Sequence, residues 1–246
     1  MRIRHENRVN FLFPTFFIVI TCSQPASSQN FKPSFYHNSP HVINNVAAYK
    51  KSISLYPGKR MVALQSFIPQ LIIDLKYAEK NNFTHHVLYV HPVAFARIEV
   101  ALALKKINAE LSQKGLGLKI FDAYRPYIVT KKMWKVVHDQ RYAANPAKGS
   151  GHNRGTAIDL TLIYLSTGKE LTMPTSFDDF SARAHQDYLK LPQEVLDHRK
   201  LLKDMMEKYG FESLKTEWWH YSLPNAPINY ELLDLSFDQL KELTKE

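Results

Sequence analysis

The chain has 246 residues, 45% hydrophobic and 22% charged, which suits one domain of ordinary size or two small ones and excludes disorder as its main state. Eight glycines and 13 prolines exclude a collagen-like or low-complexity chain, and a single cysteine, Cys22, excludes a disulfide framework or a cysteine-rich metal knot. Of the formal charge of +9, the first 28 residues hold +2 (Arg2, Arg4 and Arg8 against Glu6) and the remainder +7, with lysines scattered among acids instead of gathered into a stripe. That distribution predicts a basic, soluble surface and no nucleic-acid partner.

The N-terminus reads as an address. Residues 1–10 are basic and polar, residues 11–20 form an apolar run broken by Pro14, and a polar stretch follows. This order predicts a secretory signal over residues 1–28, with the small residues Ala26, Ser27 and Ser28 at the cleavage point. The apolar run falls short of the about 20 residues a permanent membrane span needs, so no stable span is expected. Val19-Ile20-Thr21-Cys22 loosely resembles a lipoprotein box, with Thr21 where Gly or Ala is usual, and offers a second reading: a lipid anchor at Cys22. Under both readings the mature chain, residues 29–246, is exported and works in the periplasm or as a secreted protein.

Residues 29–60 are polar, with Pro33, Pro40 and Pro57 and weak periodicity, and read as an extension wrapping the domain surface. A Leu-Ile-Ile run within residues 66–76 suits a buried strand. Pro92 opens a segment in which Phe95, Ile98, Leu102, Leu104, Ile107 and Leu111 recur at roughly helical spacing, closed by Gly115 and Gly117. Residues 118–122 suit a short strand and residues 127–140 a helix. A glycine-rich turn at 149–155 leads into an alternating, β-branched strand over 156–162. Residues 194–209 read as a helix stopped by Gly210, and residues 216–223 as an aromatic strand. Without regular βαβ alternation, these elements predict a single α+β domain.

Three stretches combine unusual residue types. They are Ser150-Gly-His-Asn-Arg-Gly-Thr-Ala-Ile-Asp159, Glu217-Trp-Trp-His220 and Asp122-Ala-Tyr-Arg-Pro126. Singly, each has a bland reading: His152 as a turn residue, Arg125 as an ion-pair partner as readily as an electrophilic clamp. Asp159, flanked by Ile158 and Leu160, is costly to bury without a cation or hydrogen-bond donors. Glu217 beside two tryptophans is in an environment that lifts a carboxyl pKa toward the range useful for acid–base work. Two histidines and one carboxylate leave a fourth position open on a tetrahedral zinc, the pattern of a hydrolytic site. Glu217 and His220 are separated by an odd number of residues, so they share a face only if the chain twists at Trp218 or Trp219.

Ser-x-His-x-x-Gly-x-Ala-x-Asp followed by Glu-x-x-His resembles the zinc D-alanyl-D-alanine dipeptidases, a family that includes the vancomycin-resistance dipeptidases. The likeness runs from about Asp74 to Tyr221. Asp74-Leu-Lys-Tyr-Ala, Asn82-Phe-Thr84, Asp122-Ala-Tyr-Arg-Pro126 and Phe177-Asp-Asp-Phe180 favour the dipeptidase branch over carboxypeptidases and endopeptidases that share the zinc pattern. The resemblance implies a compact α+β domain with a central antiparallel sheet flanked by helices, like that of Hedgehog and the D,D-peptidases. It implies one zinc ion on His152, Asp159 and His220, with Glu217 as general base and Arg125 stabilising the oxyanion. Asp178 would hold the substrate's amino group and Ser150 its carboxylate. The expected partner is a small D,D-dipeptide, cleaved in peptidoglycan turnover or scavenging. The alternatives are an exported D,D-carboxypeptidase or endopeptidase, and a non-catalytic wall-binding domain. The roles of Tyr77, Tyr89, His85 and His86 stay open.

Overall fold

The structure, a computed structural model, describes residues 40–244. The signal expected over residues 1–28 and the anchor expected at Cys22 lie outside the described residues. β1 (Val42–Ile43) leads into α1 (Val46–Leu55), whose first turn is capped by Asn45, its side chain accepting the Ala48 N–H at 2.9 Å. Tyr49 on α1 is buried, and its hydroxyl accepts the Met61 N–H at 2.7 Å, so the weakly periodic residues before Met61 are fastened to the core.

β2 (Met61–Ala63) continues into α2 (Leu64–Phe67), and only Ile72 and Ile73 form β3 (Ile72–Ile73) of the strand expected over 66–76. Pro69 has no N–H for a ladder and Gln70 turns the chain at φ 60°, which confines the strand to the Ile-Ile pair. The segment after Pro92 likewise divides in two. β4 (Phe95–Arg97) pairs antiparallel with β2 before α3 (Ile98–Ser112) begins. Ala101, Leu104, Ile107, Asn108 and Leu111 form its buried face, while Leu102, expected there, is exposed. Asn108 is satisfied at both ends, donating to Pro69 O (3.0 Å) and accepting from Leu118 N (3.2 Å). It locks α3 to β5 (Leu116–Asp122).

The chain then forms α4 (Tyr127–Val136), the one-turn α5 (Gly151–Arg154), β6 (Ala157–Tyr164) and α6 (Gln193–Lys208). It closes with β7 (Glu212–Ser213), β8 (His220–Ser222), α7 (Ala226–Asn229), β9 (Leu232–Leu233) and α8 (Phe237–Leu243). The strand expected over 216–223 is shorter than its aromatic character suggests. Trp218 and Trp219 occupy a turn and are both fully buried, with the Trp218 indole donating to Thr175 Oγ1 at 3.0 Å, so pairing starts only at His220. This turn supplies the twist that the Glu217–His220 spacing demands.

The main sheet has the order β3-β5-β6-β8-β7. β5 and β6 are buried along nearly their whole length, which accounts for their almost continuous apolar runs. The expected α+β architecture with a central antiparallel sheet is present, with one amendment at its edge. β3 runs parallel to β5, because β4 and α3 together make the long crossover that a parallel pair requires.

Candidate metal centre and active site

Strand register builds the floor of the site. An irregularity in β5 between Ile120 and Asp122 brings Asp122 opposite Asp159 on β6, and Asp159 pairs in turn with His220 on β8. Three neighbouring strands thus present Asp122, Asp159 and His220 in a row. His220 Nδ1 lies 2.9 Å from Asp159 Oδ1.

The second imidazole comes from α5. Ser150 caps that turn by accepting the His152 N–H at 3.1 Å, and Asn153 answers by accepting the Ser150 N–H at 3.0 Å. Asn153 also donates to Arg125 O and to Thr130 Oγ1, both at 2.8 Å, tying α5 to the Asp122–Pro126 segment. Gly155 ends the turn at φ 70°, where a Cβ would lie 2.6 Å from the Met61 side chain, so glycine is needed for both conformation and space. The His152 ring is oriented by Nδ1 donating to Ala123 O at 2.8 Å. Its Nε2 then points at His220 Nδ1 (3.2 Å) and Asp159 Oδ2 (3.4 Å).

Among the described residues, His152, Asp159 and His220 are the one group of metal-type donors that converges, with all ligand atoms within 4.8 Å of one another. Zinc holds such ligands at about 2.0–2.1 Å in a tetrahedron, whose corners stand about 3.3 Å apart. The 3.2 Å between the two imidazole nitrogens fits such an edge, and the Asp159 carboxylate turns Oδ1 to His220 Nδ1 (2.9 Å) and Oδ2 to His152 Nε2 (3.4 Å). Burial alone would lower the His152 pKa, but the carboxylates of Asp159 and Asp122 outweigh it and raise it. Burial likewise works against an ionised Asp159, yet the two imidazoles hold its carboxyl far below the usual range. The donor set attracts positive charge.

Beside it, the Arg125 guanidinium is gripped by Asp122 Oδ2 through Nε (3.1 Å) and Nη2 (2.6 Å). Tyr89 OH (2.6 Å) and the Ala123 N–H (2.9 Å) both donate to Asp122 Oδ1. Arg125 also stands over the Tyr77 ring at 5.1 Å and lines the cavity. Burial raises the Glu217 carboxyl to about 8, with His220 opposing and Asp159 and Asp178 reinforcing. Asp178 is raised to about 8 by burial first and then by Asp159, against Arg125 and the Tyr77 hydroxyl. Its Oδ1 accepts from Tyr77 OH at 3.2 Å, whereas its buried Oδ2 has no partner. Asp178 also sits at φ 60°, a conformation that non-glycine residues rarely hold without cause.

All seven residues singled out in the sequence (Arg125, Ser150, His152, Asp159, Asp178, Glu217 and His220) line one cavity of about 240 Å³. Sequence reasoning left Tyr77 and Tyr89 without roles; they meet Asp178 and Asp122 respectively. It also passed over Gln186, whose side chain reaches Glu217 O and Trp218 O at 3.5 Å, and Tyr142 in the cavity wall. His85 and His86 are exposed.

Two imidazoles and a carboxylate around one point, with a separate half-buried carboxyl and an anchored arginine on the same small cavity, define a metallohydrolase type of centre. The sequence profile of the D-ala-D-ala dipeptidase family matches residues 58–238. The D-alanyl-D-alanine dipeptidase of Escherichia coli K12 is 36% identical over 173 residues, covering 70% of this chain and 89% of that protein. The D-alanyl-D-alanine dipeptidase of Enterococcus faecalis is 32% identical over 174 residues, covering 63% and 86% respectively. That of Streptomyces coelicolor is 28% identical over 186 residues, covering 66% and 92%. The chain belongs to the D-Ala-D-Ala dipeptidase family of peptidases.

Proposed function

We propose that this peptidase is a zinc-dependent dipeptidase that hydrolyses D-alanyl-D-alanine and related D,D-dipeptides to free D-amino acids. The observation that carries the reading is the meeting of the three converging donors with Glu217, Arg125 and the unpartnered Asp178 Oδ2 on one cavity. At about 240 Å³ it is smaller than the roughly 300–1,000 Å³ of drug-sized ligand sites. His152 Nε2, His220 Nδ1 and an Asp159 oxygen would hold the zinc. When bound, the metal supplies Lewis acidity, polarising the scissile carbonyl and acidifying a water.

The chain's own groups do the rest. Glu217 takes the proton of the attacking water and returns it to the leaving amine, from its place on the cavity wall beside the three donors. Arg125, held by two bonds to Asp122, keeps Nη1 for the negative charge that develops on the carbonyl oxygen. Asp178 offers the unpartnered Oδ2 to the dipeptide's ammonium group. The Ser150 hydroxyl, which accepts from His152 N as a cap, still has its own proton to donate to the substrate carboxylate.

Residues 1–28 would direct export, with a lipid anchor at Cys22 as the variant form, and no described helix is long and apolar enough to cross a membrane. Outside the cytoplasm the substrates would be dipeptides released from the cell wall, consumed in turnover or scavenging. Mass determination of the N-terminus of the mature protein decides between cleavage after Ser28 and acylation at Cys22; retention of the full-length chain in the cytoplasm would defeat both.

The test of the chemistry is D-alanine release from D-alanyl-D-alanine and from a D-alanyl-D-alanine-terminated pentapeptide, with zinc and a Glu217→Ala control. Cleavage of the dipeptide alone, lost in the control, is expected. Preferential cleavage of the pentapeptide would move the enzyme to the carboxypeptidases. Zinc binding with neither substrate cleaved would overturn the reading.

A further inference from the structure

The wall of the cavity at the Asp178 end is made by three loops, joined by aromatic rings. Phe177 and Phe180 bracket the Asp178 position and pack in different directions. Phe177 lies against Tyr77, Phe121 and Trp219, with ring centroids at 6.0, 5.1 and 5.3 Å. Phe180 stacks on Tyr142 (4.5 Å, interplanar 29°) and meets the edge of Phe83 (5.5 Å). Phe83 in turn meets Tyr77, the residue that donates to Asp178. Phe83 and Tyr142 line the cavity, and Phe180, outside that lining, packs against both. Tyr142 and Phe180 form the one near-parallel stack among the described residues, bridging the loop before α5 and the loop between β6 and α6.

Resting on the dipeptidase reading above, we propose that the Tyr142–Phe180 stack, braced by Phe83, is the clasp that limits this enzyme to two-residue substrates. A substrate extended at its amino end must leave past Asp178, and there the clasp holds Tyr142 and Phe83 across its route. Loosening the clasp from behind, without touching the cavity, opens that route. The longer substrate then undergoes the same reaction: water adds across its C-terminal amide, the C–N bond breaks, and the leaving amine takes the proton. Tri-D-alanine would yield D-alanyl-D-alanine and D-alanine.

The experiment compares kcat/KM for D-alanyl-D-alanine and tri-D-alanine in the full-length zinc enzyme, in Phe180→Ala, in Tyr142→Ala and in the ring-conserving Phe180→Tyr. Wild type and Phe180→Tyr should prefer the dipeptide strongly, and in both alanine variants the preference should fall by about tenfold or more. A second readout is calorimetric binding of tri-D-alanine to Glu217→Gln, which should appear only when Phe180→Ala is added. Dipeptide hydrolysis retained in a folded Phe180→Ala enzyme, with no gain on tri-D-alanine in rate or binding, overturns the clasp and leaves the dipeptidase reading intact. A wild type that cleaves tri-D-alanine as readily as the dipeptide also overturns the clasp, and moves the enzyme toward the carboxypeptidases. If wild type cleaves neither, the reading beneath the proposal fails and takes the clasp with it.

Discussion

The sheet side and the loop side of the cavity are built on different terms. On the sheet side, Asp122, Asp159 and His220 owe their positions to strand register, and the groups around them are mutually partnered: Asp122 alone receives Tyr89, Ala123 and both bonds from Arg125. On the loop side, Asp178 sits at φ 60°, has a buried oxygen without a partner, and is surrounded by rings. A floor fixed by register suits donors that must hold the same positions in every turnover. A wall that keeps one acceptor unsatisfied is set up for a visiting ligand.

If this division is right, damage on the sheet side should appear in kcat and damage on the loop side in KM. Glu217→Gln should show the largest effect, a fall in kcat of about 10³-fold with zinc stoichiometry unchanged, read by steady-state kinetics beside metal analysis. A variant that also lost its zinc would show that Glu217 belongs to the donor set. Arg125→Lys gives up the two-bonded grip on Asp122, and kcat should drop about 10²-fold with KM little changed. Asp178→Asn keeps a side chain that tolerates positive φ but cannot become the carboxylate that would face the ammonium group, so KM should rise about tenfold with kcat nearly preserved. A kcat loss as deep as that of Arg125→Lys would erase the distinction between the two sides.

A separate effect concerns stability in the metal-free protein. Asp178 and Glu217 are raised to about 8, whereas an unfolded chain titrates such groups near about 4. Between those values the folded chain binds more protons than the unfolded one. The contribution is therefore complete below about pH 4 and lost as pH rises through 8. Thermal melts of metal-free protein between pH 5 and 9 should show a declining Tm, and Asp178→Asn should flatten the decline. An unchanged slope in that variant would mean Asp178 is not the group being deprotonated.

Much of the site was legible in the sequence because its residue types are expensive where they stand. An aspartate between Ile158 and Leu160, or a glutamate beside Trp218, invites the question of what compensates it, and both proved to line the cavity. What could not be read was geometry created by other segments. The turn at Trp218–Trp219 depends on an indole finding Thr175, and the alignment of Asp122 with Asp159 depends on an irregularity in β5. The Tyr142–Phe180 stack joins two loops with no shared pattern. The start of α3 is hidden for the same reason: Phe95 fits the helical spacing that runs on to Leu111, but it pairs with Ala63 of β2 instead.

The pairing of β1 with β9 has a consequence in time. Val42 must wait for Leu232, so at about 5–20 residues per second of synthesis the first strand stays unpaired for on the order of ten seconds or more. Leu232 also packs behind Gly149, where even a Cβ would lie 2.4 Å from its side chain, just ahead of the turn that carries His152. The turn that carries His152 is thus packed from behind by one of the last parts of the chain to be made. A nascent or C-terminally shortened chain would contain His152, Asp159, Glu217 and His220 and still lack the packing of Leu232 behind Gly149.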